Sequence, residues 1–120
     1  MADLIACLGQ GSASQTYIEG LINGEGWDHC IIISGEQAKL NTNKPAEIVV
    51  IDTKKPLPEL ASELKDVLFK KLGEPEFGCE IGLNIATGSG KEHMAVLSAV
   101  IKMGFGIRLV ALTNAGNREI

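Results

Sequence analysis

Short apolar runs alternate with longer segments of helical period along this chain. Residues 4–9 (LIACLG) read as a buried strand that gives way to a small polar loop, Gln10-Gly11-Ser12-Ala13-Ser14. From 12 to about 23, Tyr17, Ile18, Leu21 and Ile22 return to one face, as an amphipathic helix requires. Residues 29–34 (HCIIIS) read as a second strand, and 36 to about 43 as a short polar segment of one or two helical turns. Residues 47–53 (EIVVIDT) make a third strand. Between 59 and 72, Leu60, Leu64, Val67, Leu68 and Leu72 form one apolar stripe, and Gly73 supplies the stop. A loop at 74–79, a strand at 80–87, a helix at 91–103 and a strand at 106–113 follow, leaving 114–120 as a tail.

Strands alternating with helices predict a parallel α/β arrangement. The expected fold is α/β, a single-domain Rossmann-like three-layer sandwich over residues 1–120, with a mainly parallel sheet of about five or six strands. The chain has 120 residues, enough for one domain, and neither an internal repeat nor a low-complexity linker divides it.

Charge narrows the function classes. Eleven Lys and Arg against fifteen Asp and Glu give a net charge of −4, which argues against a broad basic surface for long nucleic acid. Aromatics are 4%, too few for a base-stacking platform. No apolar run approaches the roughly 18 residues that span a bilayer, so no membrane contact is expected. The start, Met1-Ala2-Asp3, lacks the basic region of a signal peptide. Cys7, Cys30 and Cys79 include no Cys-x-x-Cys pair and lie in or beside apolar runs. They read as small hydrophobes in a reduced, cytoplasmic protein with no metal site.

Ligands of open α/β sheets bind outside the carboxyl ends of the strands, which draws attention to two loops. Ser12-x-x-Gln15 and Ser89-x-x-Glu92 both fit a helix capping box. The second loop, Thr87-Gly88-Ser89-Gly90-Lys91, also gathers two glycines, two hydroxyls and a lysine at a strand-to-helix turn. That composition suits a phosphate, because glycine admits close backbone approach and the helix start offers N–H donors. Lys91 opposes the helix dipole in a first turn, which an anion there would explain. A Walker A loop does not fit, since Ile85 and Glu92 stand where its first glycine and its hydroxyl belong. The dinucleotide fingerprint is matched at Gly9 and Gly11 but not at Ser14, with Glu36 placed to accept from a ribose.

The first strand and its loop, Leu4 to Ser12, and the run from Leu83 through Thr87-Gly88-Ser89-Gly90-Lys91 to Ala95 resemble the two motifs of a CARF domain. This is the CRISPR-associated Rossmann fold that senses cyclic oligoadenylates in type III antiviral defence. The resemblance extends from Leu4 to about Thr113. Thr87, Gly88 and Lys91 match the second motif directly, while Ser89 replaces its second glycine and Gly90 its Thr or Arg. The resemblance implies a homodimer with a cyclic tetra- or hexa-adenylate lying across the two-fold axis. It implies that Gly9, Gln10, Gly11 and Ser12 line the adenine and ribose, and that Thr87, Gly88, Ser89, Gly90 and Lys91 hold phosphates. Ser34 and Glu36 would border the pocket. Some members cleave the ring without a metal, which would make Lys91 the stabilising cation and Ser12 the positioning group, with no cofactor. His93 is a further candidate base and His29 a weaker one. No effector segment is recognisable in the chain, so the expected output is ligand cleavage, a separate partner or a longer protein. The alternative is a small regulatory domain binding a mononucleotide or a dinucleotide such as NAD.

Overall fold

Side chains of an extended strand point alternately to its two faces, and an unbroken apolar run therefore asks for cover on both. The computed structural model, which describes residues 2–76 and 79–120, meets that demand. Among the described residues nine elements follow one another: β1 (Asp3–Leu8), α1 (Ser12–Asn23), β2 (Cys30–Ser34), β3 (Glu47–Val50), α2 (Leu57–Leu72), β4 (Glu80–Asn84), α3 (Gly90–Met103), β5 (Gly106–Thr113) and β6 (Gly116–Glu119). Ile5 and Cys7 of β1, with Ile31 and Ile33 of β2, pack beneath α2 and α3 through Leu60, Leu64, Leu68, Val96 and Val100. Leu4, Ala6 and Leu8, with Cys30 and Ile32, face Ile18, Leu21 and Ile22 of α1. Each fully buried Leu or Ile in these two cores contributes roughly 1.5–3 kcal/mol of transfer free energy.

One six-stranded sheet runs in the order β3-β2-β1-β4-β5-β6. The neighbours from β3 to β5 pair in parallel, but β5 and β6 pair antiparallel, Thr113 opposite Gly116 and Val110 opposite Glu119. The sheet is thus mixed, which corrects the expected mainly parallel one. The segment expected as a tail supplies the antiparallel strand. Its turn is held by the Thr113 hydroxyl, which donates to the carbonyl of Gly116 at 2.8 Å and accepts from the amide of Ala115 at 3.1 Å. Its residues are too polar to show an apolar period, so backbone pairing forms the strand.

Residues 36–43 take no helical turn, a second correction. A stripe of α1 at helical spacing captures them instead. Gln15 Nε2 donates to the carbonyl of Lys39 at 2.7 Å, Glu19 Oε2 accepts from the amide of Asn41 at 2.6 Å, and Asn23 Oδ1 accepts from that of Asn43 at 2.7 Å. Lys44 then anchors the far end with bonds from Nζ to the carbonyls of Ile22 and Glu25. Side chains that satisfy the backbone from outside remove the incentive for a local helix. The third and fourth strands also stop at Val50 and Asn84, short of Thr53 and Thr87. The loop expected at 74–79 contains Phe77 and Gly78, which lie outside the described residues.

Two close contacts fix how the strands carry their neighbours. A Cβ on Gly82 would stand 2.6 Å from Cη2 of Trp27, so this central strand needs glycine to admit the indole. Asn84 is a buried polar hub at the end of β4. Its Nδ2 donates to the Val110 carbonyl and to the Tyr17 hydroxyl, and its Oδ1 accepts from the amide of Ala86.

Candidate functional site

Order and connectivity place a switch between β1 and β4: the chain leaves β1 toward β2 on one side, while β4 leads to β5 on the other. Loops diverge there and open a crevice at the carboxyl ends of the strands. The crevice is pinned at its base. Thr87 Oγ1 donates to the carbonyl of Cys7 at 2.8 Å and accepts from the amide of Gly9 at 3.0 Å. Gly9 is required by this seam, since a Cβ there would stand 2.7 Å from the backbone nitrogen of Gly88. The two loops singled out by the sequence are therefore fastened to each other.

Two adjoining cavities lie above the seam. The larger, about 520 Å³, is walled by the ends of β1 and β2 and by the β4–α3 loop. It contains Gly9, Gln10, Ser34, Glu36, Thr87, Gly88 and Ser89 of the expected site. The smaller, about 410 Å³, brings in Gly11 and Ser12 and shares Leu8, Gly9, Ser34 and Glu36 with the first. Gly90 and Lys91 line neither. No family model, curated protein or solved structure matches this chain. The case for a site accordingly rests on these walls and what they can hold.

The two helix starts differ. Gly11, at the head of α1, is followed by no side-chain cap, and Gln15 spends its amide on Lys39 rather than on a capping box. The box expected at Ser12 is not formed, because the captured strap at 36–43 competes for Gln15. Among the described residues no side chain caps that first turn, and Gly11 and Ser12 line the smaller cavity. At α3 the box does form in part. Ser89 Oγ accepts from the amide of Glu92 and donates to its Oε1 at 3.2 Å.

Lys91 has its own protein partner. Its Nζ donates to the carbonyl of Thr53 at 2.8 Å, tying α3 to the chain after β3 and giving a reason for a lysine in a first helical turn. His93 Nε2 donates to the Thr87 carbonyl at 2.8 Å, which fixes the hydrogen on that nitrogen and braces the seam. His29 lies at the other end of the sheet, where its Nδ1 meets Asp3 Oδ1 at 2.8 Å. That hydrogen bond and charge raise its pKa.

Residues that sequence reasoning did not assign to the site also enter the walls. Ser14, Gly35, Thr53 and Glu92 line the larger cavity, and Lys39 the smaller. Lys39 arrives on the strap at 36–43, which was expected as helical turns, and Thr53 lies past the end of β3 at Val50, although the sequence puts it within that strand. Glu92 was visible only as a capping residue. Among the described residues, the larger cavity's wall carries the carboxylates of Glu36 and Glu92 and no Lys or Arg. Beneath it, burial pushes the Cys7 thiol up to about 12, and the Glu92 charge adds to the effect, so this sulfur stays protonated and unreactive.

Proposed function

We propose that this chain is a cyclic-oligoadenylate-binding sensor domain of type III antiviral defence, built as a Rossmann-like domain of the CARF type and working in the cytoplasm. The observation that carries the reading is the seam. The two loops bearing the motif residues are bonded to each other through Thr87 and Gly9, and both border one crevice at the strand ends. A nucleotide in it would meet hydroxyls and backbone amides from both loops at once.

The resemblance puts the ring's phosphates on Thr87 to Lys91. Among the described residues, however, the wall there carries Glu36 and Glu92 and no Lys or Arg. In this reading the phosphates therefore turn instead toward the α1 start, where Gly11, Ser12 and Lys39 line the smaller cavity. A second copy completes the site, because a cyclic ligand with two-fold symmetry suits a two-fold pair of crevices. The exposed apolar side chains Met94 and Ile101 on α3, and Leu109 on β5, are the surface on which that copy would dock. Sedimentation of the Met94→Lys/Ile101→Lys double variant should return a monomer from a wild-type dimer.

Ring cleavage would proceed by attack of a ribose 2′-oxygen on the adjacent 3′-phosphorus, expelling the 5′-oxygen of the next nucleotide, which takes up the proton and leaves a 2′,3′-cyclic phosphate. The step needs in-line positioning and a cation at the developing charge. Lys91 could serve only by exchanging the Thr53 carbonyl for that charge. Chromatography of the ring after incubation tests the point: loss of product in Lys91→Ala with binding retained would assign it the cleavage step.

Calorimetric titration with cyclic tetra- and hexa-adenylate is the deciding experiment. Micromolar binding of one of them is expected, and absence of both defeats the reading. The second reading, a regulatory domain for NAD, is favoured by Glu36, which borders both cavities at the end of β2. Thermal protection by NAD but not by either ring would select it.

A further inference from the structure

We infer that Glu92 is the specificity-determining acceptor of the larger cavity, receiving a hydrogen bond from a hydroxyl or amine of the ligand and turning phosphate away from the α3 start. The inference rests on the nucleotide reading for the identity of the ligand, and on the cavity's own chemistry for the role of Glu92.

Glu92 is only 9% exposed, yet it forms part of the cavity wall. One carboxylate oxygen, Oε1, is occupied by the Ser89 hydroxyl. The other, Oε2, is buried and has no hydrogen-bond partner among the described residues. A buried carboxylate oxygen without a donor is costly, and proteins rarely leave one so unless something else supplies the donor. Capping explains Oε1 and leaves Oε2 unexplained.

Oε2 lies under the Gly88 turn, between Cys7 and His93. Gly88 carries no side chain over it, and the point where a Cβ would stand is 2.9 Å from the oxygen, the separation of a hydrogen bond. Gly88 itself is exposed and belongs to the cavity wall. A donor that displaces the exposed Gly88 turn would find an acceptor already held in place by Ser89.

The same carboxylate opposes an anion. It occupies the first turn of α3, where it meets the helix dipole that a phosphate would otherwise use. Glu36 adds a second negative charge to the wall, and the nearby ammonium of Lys91 is engaged with Thr53. A nucleotide would therefore turn a ribose hydroxyl or an exocyclic amine toward α3.

The test uses amide-resolved NMR titrations of the whole chain with adenosine and, separately, with inorganic phosphate. Adenosine is uncharged and carries both donor types. It should shift the amides of Gly88 to Glu92, and Glu92→Ala should weaken its binding about tenfold to a hundredfold. Glu92→Gln guards against a folding defect, since it keeps the packing and gives up the charge. In that variant adenosine should weaken and phosphate should begin to compete at the same amides. Inosine and 2′-deoxyadenosine separate the sources: loss with the first identifies the amine, loss with the second the hydroxyl. No response to adenosine, unchanged affinity in both variants, or phosphate saturating the wild-type site would overturn the assignment. Glu92-dependent adenosine binding without binding of either cyclic ring would remove the ring reading and leave this one standing.

Discussion

Burial divides the three cysteines into two classes. Cys7 and Cys30 lie inside the cores, where desolvation pushes their thiols up to about 12 and about 11, while Cys79 is exposed. The reading of all three as small hydrophobes thus holds for two and fails for Cys79, which sits just outside β4. A native-state thiol titration should find one fast-reacting group, lost in Cys79→Ser, and three in denaturant. His29 provides a second residue-scale test. Asp3 raises its pKa, so the pair stabilises the fold below the ordinary value of 6.5 and that stabilisation is lost as pH climbs through the raised value. His29 is 65% exposed, which keeps the effect small. Asp3→Asn should lower its NMR titration midpoint; an unchanged midpoint would mean that the contact does not persist in solution. Asn84 is the costlier residue to lose. Alanine there removes the partner of the half-buried Val110 carbonyl and of the exposed Ala86 amide, and denaturant unfolding should record a loss of about 0.5–1.5 kcal/mol for each hydrogen bond lost.

At the level of elements, the sequence was legible wherever burial imposes a period. The stripe Leu60, Leu64 and Leu68 and the run in β1 announced themselves, because each packs against a layer that demands that spacing. What was hidden is held by polar atoms. The strap at 36–43 follows Gln15, Glu19 and Asn23 of α1, polar residues that carry no apolar period. Half of the candidate site was visible for the same reason: glycine and serine at strand ends advertise the loops, but Lys39 and Thr53 reach the walls by tertiary path alone. Lys91 is a converse case: its motif position points to an anion, and its ammonium bonds to the Thr53 carbonyl. Replacing Glu19 by Ala should free the Asn41 amide and speed its hydrogen exchange while leaving β1 amides slow. Uniform acceleration would instead mean that the strap and the sheet open together.

For the whole molecule, β6 has an importance its composition conceals. It pairs with the full outer half of β5 and adds the Arg108–Glu119 contact at 2.8 Å. Without it, β5 would present a row of unpaired amides and carbonyls beside an exposed Leu109, a template onto which another chain can add a strand. A variant ending at Thr113 should still show the far-ultraviolet signature of the remaining elements but scatter light on concentration, and a scatter-free truncation would refute this. The seven residues least like a strand are then a solubility device: polar enough to stop growth of the sheet, and paired enough to occupy the position where aggregation would begin.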